Sequence, residues 1–333
     1  MLGPYSEQLM IGLAVGSIVL PTIFFGLRLW ARRLRRAGLS ADDYICLAAL
    51  IIAYTTCALQ LDAAINGDLG QHQKDINGEP DLTDPRFLVY ERTKLATNVI
   101  SPIGFGLVKI SIVVLYEKIF HNIRPFRICA YVMIGLLGSW ILAFFFSNLF
   151  ICYPVTALIE PFYGNKCLNQ PAIFLSTLVT DLIFDVLILL MPIPVVLKLQ
   201  LPWRDRIGVL GMFLLGTVVV IVSSVRLEQL LEVNSLYLLF YADETYYTSP
   251  AFFWANIELA IAIMSACLPT LKPILVFFFP TPPSTRTAPT KYIQISDPQS
   301  SRMQRVSAMV HPHGNLDSDK DAIPLSSYKA AEC

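Results

Sequence analysis

Four ionisable side chains lie deep inside long apolar stretches of the sequence, where chemistry or ligand binding is the usual reason for a charge. They are Lys109, Asp181, Asp185 and Glu258. Two further ones, Asp62 and Arg226, lie nearer the ends of such stretches. An ionisable group at the centre of a bilayer costs about 2.5 to 3.5 kcal/mol on insertion scales, so these residues are candidates for a functional role.

The spacing of Asp181 and Asp185 places both carboxyl groups on one face of a helix, about one turn apart. Two neighbouring carboxylates repel each other unless a cation or a proton intervenes, and Lys109 is a candidate partner. Two interpretations stay open. One is a polar pocket between the third, fifth and seventh apolar segments that binds a ligand or a proton; the other is an ion-pair network that fixes helix register.

Cysteine positions predict one disulfide and no metal site. Cys152 ends the fourth apolar segment and Cys167 follows in the next loop, on the side predicted to be oxidising, so these two are expected to pair. The seven cysteines contain no C-x-x-C pair, and the four histidines do not cluster near them at the spacing of metal ligands.

The elements that must position these residues are membrane-spanning helices. The sequence is 55 % hydrophobic and only 15 % charged, with a mean hydropathy of +0.57. Roughly 20 apolar residues are needed to cross a bilayer as a helix. Seven runs of about that length occur, at about 9–30, 43–64, 95–118, 128–152, 172–197, 207–227 and 251–279. The sequence therefore predicts an all-α, polytopic membrane protein with a seven-helix transmembrane bundle.

Lysine and arginine in the short loops predict the orientation. The first, third and fifth loops share a basic character, through Arg32, Arg33, Arg35, Arg36, Lys118, Arg124, Arg127, Lys198, Arg204 and Arg206. By the positive-inside rule these loops face the cytosol, the N-terminus lies outside and the C-terminus is cytosolic. The plasma membrane is the expected location.

Composition divides the chain into two parts. Residues 1–279 form the predicted transmembrane domain, whereas residues 280–333 are rich in Ser, Pro and Asp and lack the apolar surface needed to offset ordering entropy. We predict that the second part is a disordered cytosolic tail.

Known cofactor and nucleic-acid signatures do not occur in the sequence. A zero formal net charge gives no basic surface for nucleic acid, and no Walker loop or dinucleotide fingerprint is present. Retinal chemistry needs a desolvated lysine in the middle of a helix, but the seventh segment has Glu258 at that depth and Lys272 only near its cytosolic end. We therefore expect no cofactor.

Short motifs in a fixed order resemble the fungal rhodopsin-like integral membrane family. They include Gly38–Tyr44, Gly67–His72, Val108–Ser111, Leu115–Phe120, Cys152–Val155, Pro192–Pro194, Leu199–Pro202, Gly211–Gly216, Ser224–Arg226, Glu258 and Cys267–Pro273. The resemblance covers residues from about 38 to 279, nearly the whole membrane region. The family name does not imply retinal.

The resemblance implies a receptor-like or accessory membrane protein, since the family includes surface-sensing receptors and membrane proteins encoded in metabolite gene clusters. Its expected partners are the lipid bilayer, a small-molecule ligand and a cytosolic signalling protein. The alternative is an integral membrane cyclase or isomerase that uses Asp181, Asp185 or Glu258 to protonate a lipid-soluble substrate, because carboxylic acids in apolar pockets hold protons strongly.

Overall fold

The structure is a computed structural model of the chain. It describes residues 7–34, 36, 38–71, 75–76, 79–80, 84–153, 166–198, 203–237 and 244–271. The predicted tail and Lys272 lie outside these residues.

Seven helices among the described residues are long and apolar enough to cross a membrane. The helices are α1 Glu7–Leu34, α2 Ala41–Asn66, α3 Pro85–Ile119, α4 Arg124–Leu149, α5 Gln170–Leu190, α6 Ile193–Lys198, α7 Trp203–Tyr237, α8 Glu244–Tyr247 and α9 Ser249–Cys267. The short helices α6 and α8 are the two that do not cross on their own. The all-α, seven-helix fold class is confirmed.

Local sequence signals explain where several helices begin. The backbone N–H of Ser40 donates to the Asp43 carboxylate at 3.0 Å before α2, and the Asp84 side chain accepts from the backbone of Arg86 at 2.9 Å before α3. Asn169 caps α5 by accepting from the backbone of Ala172 at 3.3 Å. These contacts satisfy backbone donors that have no partner within the first helical turn.

Helix lengths differ from the predicted apolar runs at three places. The third run was expected to begin near residue 95, but α3 begins at Pro85, and α7 continues to Tyr237, past the predicted end at residue 227. An apolar window detects only the part of a helix that matches hydrocarbon, so polar helical ends escape it. The fifth run is interrupted next to Pro192, which separates α5 from α6.

Helix α3 lies at the centre of the bundle. In its most apolar window 56 % of the residues are buried, compared with 17 % in α5. Gly106 permits close approach to α4, because a Cβ atom there would lie 2.2 Å from Ile141 Cγ1. By contrast, α4 exposes large apolar side chains such as Ile128, Tyr131 and Leu142, which is typical of a lipid-facing helix.

The two ends of the bundle differ in character. Strands β1 (Asp75–Ile76) and β2 (Glu79–Pro80) pair in one loop, and β3 (Cys152–Tyr153) and β4 (Lys166–Cys167) pair in another. Since α2 and α4 both end on the same side of the bundle, we call this side the ladder end. The opposite side, the basic end, carries Arg32, Arg33, Arg36, Lys118, Arg124 and Arg127.

Candidate functional site

The structure brings the four predicted site residues together in the middle of the bundle. Lys109 comes from α3, Asp181 and Asp185 from α5, and Glu258 from α9. The contacting helices α3, α5, α7 and α9 enclose them, and Lys109, Asp181 and Glu258 are each less than 5 % exposed. Of the residues singled out nearer the helix ends, Arg226 belongs to this cluster, whereas Asp62 is exposed and bonds Asn66.

Lys109 provides a cation to the two aspartates of α5. Its Nζ donates to Oδ1 of Asp185 and, at 3.2 Å, to the backbone carbonyl of Asp181. The same Nζ lies 3.2 Å from Oδ1 of Asp181. The ammonium group therefore lies between the two carboxylates, in a region that excludes solvent from all three side chains.

Helix α7 completes the cluster with Ser223 and Arg226. The Ser223 hydroxyl lies 2.9 Å from Oδ2 of Asp185 and also contacts Oε1 of Glu258. Arg226 Nη1 donates to Oε2 of Glu258 at 2.7 Å, and its guanidinium carbon lies 4.8 Å from the centre of the Phe105 ring. We call these six residues, Lys109, Asp181, Asp185, Ser223, Arg226 and Glu258, the central cluster.

Sequence reasoning missed Ser223. The hydroxyl of a serine in a membrane helix commonly donates to the backbone carbonyl one turn earlier. Ser223 does this with Val219 at 3.0 Å. A serine in an apolar run therefore does not by itself indicate a functional site. Its position three residues before Arg226, on the same helical face, was the one available clue.

Oxygen atoms of Asp181, Asp185 and Glu258 lie within 4.8 Å of one another, a spacing that suits a metal ion. However, the Lys109 ammonium already pairs with two of these three carboxylates. A divalent ion there would be placed beside a fixed positive charge, so the donor set fits a protein cation better than a metal.

A cavity of about 80 Å³ opens from the central cluster toward the ladder end. Its wall combines aromatic and polar side chains, among them Thr97, Phe105, Trp140, Asp181, Arg226 and Phe252. A volume of roughly 10 to 15 Å³ on this measure holds one water molecule, so the cavity accommodates several waters or a small organic group. We call it the ladder-end cavity.

Two buried oxygens in the wall of this cavity accept or donate no hydrogen bond among the described residues. They are Oδ1 of Asp181 and Oγ1 of Thr97. The side chain of Asp181 is 3 % exposed, and Thr97 as a whole residue is 7 % exposed. Buried polar atoms are nearly always bonded to protein or to ordered solvent. Thr97 Oγ1 is therefore available to a molecule in the cavity, and Asp181 Oδ1, whose ion-pair partner among the described residues is Lys109 Nζ at 3.2 Å, can accept a further bond.

A second, smaller cavity of about 30 Å³ adjoins the same cluster on the side of the basic end. Lys109 and Asp185 contribute to its wall, together with Tyr116 on α3 and Ser265 on α9. The central cluster thus separates two cavities stacked along the bundle.

A second buried ion cluster lies near the basic end and was not predicted. Arg28 donates from Nε to Asp43 at 2.8 Å and from Nη2 to Asp42 at 2.5 Å, while Nη1 donates to the backbone carbonyl of Ala266 at 2.6 Å. Arg32 also contacts both aspartates. Arg28 lies near the end of the first apolar run, and Asp42 and Asp43 lie at the start of the second. Charged residues near helix ends usually face the membrane surface, so the sequence did not indicate that these three are buried together.

The backbones of Cys152 and Cys167 are register partners in the antiparallel ladder formed by β3 and β4. Directly opposed residues in such a ladder have the backbone separation that a disulfide needs. Their side chains lie outside the described part of the chain, so the disulfide stays a prediction.

Comparisons with known proteins agree on one family. The profile of the fungal rhodopsin domain matches residues 27–277. The Phomoidride biosynthesis cluster protein H of the fungal strain ATCC 74256 is 24 % identical over 296 residues, which cover 82 % of this chain and 90 % of that protein.

Two further relatives are named as a membrane protein and as a receptor. A SAT4 family membrane protein of Emericella nidulans is 26 % identical over 232 residues, covering 68 % of this chain and 54 % of that protein. Receptor GIN3 of Arthrobotrys oligospora is 24 % identical over 270 residues, covering 79 % of this chain and 61 % of that protein. No solved structure matches the chain with significance.

Proposed function

The chain belongs to the fungal rhodopsin domain family, as a multi-pass, receptor-like or accessory membrane protein, and we propose that it binds a small amphipathic molecule in the ladder-end cavity. The observation that carries this proposal is a pair of buried oxygens without a hydrogen bond among the described residues, Thr97 Oγ1 and the Lys109-paired Oδ1 of Asp181, in the wall of a cavity that aromatic and polar side chains line together.

The wall chemistry defines the class of ligand. Phe105, Trp140 and Phe252 offer apolar contact to a hydrocarbon or ring system, and Asp181 offers a hydrogen-bond acceptor. An apolar site with few, well-placed polar groups is typical of small-molecule binding. A compound with an apolar body and a hydroxyl donor satisfies both requirements.

The receptor-like role also rests on the asymmetry between the two ends. We propose the orientation expected from the basic loops, with the N-terminus and the ladder end outside, and the basic end and residues 280–333 in the cytosol of the plasma membrane. A cytosolic signalling protein would then meet Arg33, Arg124 and Arg127. Receptor GIN3, which bears a receptor name, supports this assignment by similarity.

Photolabelling tests ligand binding directly. Protein purified in lipid nanodiscs is irradiated with a medium-chain primary alcohol that carries a diazirine, and labelled peptides are mapped by mass spectrometry. We expect labels on the segments around Phe105, Trp140 or Phe252, reduced by excess 1-octanol. Asp181→Asn should lower the affinity by about ten- to a hundredfold, because hydrogen bonds to charged groups contribute about 1.5 to 3 kcal/mol.

A matched pair of variants controls for non-specific partitioning into the membrane. Ala255→Leu fills the cavity, since Ala255 is buried in its wall, whereas Ala143→Leu enlarges an exposed, lipid-facing residue of α4. The first should abolish labelling of the cavity wall and the second should preserve it. Equal labelling of the two variants would show that the probe reports lipid and not a site.

An enzyme is the second candidate, favoured by the carboxyl group of Asp181 in the cavity wall and by the biosynthesis-cluster name of one relative. In this case the cavity holds a lipid-soluble substrate, which a carboxylic acid protonates to start a cyclisation or isomerisation. Loss of one defined metabolite from cells and from purified membranes with Asp181→Asn would favour the enzyme. Loss of a signalling output with the metabolite intact would favour the receptor.

A further inference from the structure

The charges of the central cluster do not balance when every group is ionised. Asp181, Asp185 and Glu258 supply three carboxyl groups, while Lys109 and Arg226 supply two cations. The cluster would then carry one net negative charge among residues that are almost fully buried. An uncompensated charge in a low-dielectric interior is strongly unfavourable, so one further positive charge is required.

The hydrogen-bond geometry around Ser223 indicates where that charge is bound. Its Oγ lies within hydrogen-bonding distance of three acceptors: Oδ2 of Asp185, Oε1 of Glu258 and the carbonyl oxygen of Val219. A serine hydroxyl has only one proton to donate. Both carboxyl groups can therefore be hydrogen-bonded to Ser223 at the same time only if one of them is protonated. The protonated group then donates to Oγ, and the hydroxyl donates to the other.

Cavities adjoin the cluster on two sides, so a small species can approach its carboxyl groups. Asp181 lines the ladder-end cavity, and its Oδ1, which lies 3.2 Å from Lys109 Nζ, accepts no hydrogen bond among the described residues. The smaller cavity adjoins Asp185 from the other side. A water molecule in either cavity would contact a residue of the central cluster and could exchange a proton with it.

We propose that the central cluster binds one proton, which Glu258 and Asp185 share through the hydroxyl of Ser223. In one arrangement the protonated Oε1 of Glu258 donates to Ser223 Oγ, and the Ser223 hydroxyl donates to Asp185 Oδ2. In the other arrangement, the proton is on Asp185 and the hydroxyl points to Glu258. The proton comes from a hydronium ion in a flanking cavity, which is left as water, and its loss returns the cluster to net charge minus one.

The titratable and charged neighbours on every packed helix are consistent with a single bound proton. Lys109 from α3 bonds Asp185, Arg226 from α7 bonds Glu258, and Asp181 is the second carboxylate beside Lys109. Tyr116 on α3 lies in the wall of the smaller cavity. With the proton on Asp185, Lys109 still faces the Asp181 carboxylate and Arg226 the Glu258 carboxylate; with the proton on Glu258, Arg226 keeps a hydrogen bond to Oε2 of the neutral acid.

Infrared spectroscopy of the ligand-free protein tests the proposal without relying on a ligand. In nanodiscs at neutral pH, we expect a carbonyl stretching band from one protonated carboxyl group, which shifts to lower frequency in D₂O. Glu258→Gln and Asp185→Asn should each remove this band, since either change leaves two carboxylates facing two cations. The exposed controls Glu228→Gln on α7 and Asp62→Asn on α2 should retain it.

The wild-type spectrum alone can overturn the proposal, so variants that fail to fold do not prevent a decision. Absence of a protonated carboxyl band in the wild-type protein excludes a bound proton. A band absent in sodium buffer that appears when sodium is replaced by choline would assign the missing positive charge to a metal cation, which also overturns it. A wild-type band that survives both cluster substitutions places the proton elsewhere.

Discussion

Nε of Arg28 on α1 donates a 2.8 Å hydrogen bond to Oδ1 of Asp43 on α2, and the two side chains are 0 % and 2 % exposed. Asp43 also accepts from the backbone N–H of Ser40, so the same carboxylate caps α2 and holds it to α1. A third element joins through the bond from Arg28 to the carbonyl of Ala266 on α9. One arginine thereby connects three helices at the basic end.

Replacement of Arg28 should destabilise the bundle strongly. Arg28→Met leaves two buried aspartates with less compensation, and breaking a buried ion pair from one side costs about 3 to 5 kcal/mol. Chemical unfolding in detergent micelles measures the change. Arg33→Met on the same helix is the control, because Arg33 is exposed and its loss should alter stability by less than about 0.5 kcal/mol. Equal stability of the two variants would contradict a structural role for Arg28.

Lys109 and Asp185 should be energetically coupled. Lys109→Met removes the cation between two carboxylates, so the unfolding midpoint should fall, and adding Asp185→Asn should recover part of the loss. We expect a coupling energy of about 0.5 to 3 kcal/mol in a double-mutant cycle.

Lys118 provides the matched control for this cycle, since it lies on the same helix but contacts Ser40 and Asp42 at the basic end. Lys118→Met and Asp185→Asn should be additive within about 0.5 kcal/mol. A coupling with Asp185 that is as large for Lys118 as for Lys109 would refute a direct pair.

The contact between Gly106 and Ile141 should limit residue size at the α3–α4 interface. Gly106→Ala places a Cβ atom 2.2 Å from Ile141 Cγ1, and overpacking typically costs about 1 to 3 kcal/mol. In an Ile141→Ala background the same substitution should cost little. Gly135→Ala, which meets no atom within 4 Å, should instead stabilise α4 by about 0.5 to 1 kcal/mol. Thermal unfolding of the four variants gives these differences, and an equal cost in both backgrounds would exclude steric contact as the cause.

The β3–β4 ladder should be covalently linked. Mass spectrometry of a non-reduced digest should find the peptides of Cys152 and Cys167 joined, and reduction should separate them. Cys167→Ser should lower the free energy of unfolding by about 3 kcal/mol, the value expected for a closed loop of about this length. Cys129→Ser, at an exposed free cysteine, is the control and should have little effect. Alkylation of both thiols in untreated protein would disprove the disulfide.

How far the sequence predicts the site is clear from the central cluster. Lys109, Asp181, Asp185 and Glu258 were identified because a charge inside an apolar run is conspicuous, and helical spacing placed the two aspartates on one face. Ser223 was missed because its hydroxyl resembles any serine bonded to its own helix. Arg28, Asp42 and Asp43 were missed because charges near helix ends resemble interfacial anchors, and only packing shows that they are buried.

The amino-acid sequence alone predicts that the surrounding medium is lipid, that the chain crosses it seven times and which family it belongs to. Each of these depends on local composition or short motifs, since a helix that crosses lipid must satisfy its backbone internally and therefore reveals itself as a continuous apolar run. Which charges neutralise one another, and where cavities remain, follows from the way the helices pack. Lys109 and Asp181 are 72 residues apart, and their contact depends on how α3 and α5 pack. Packing of separate helices is set by the fit of many side chains at once, which no local pattern encodes.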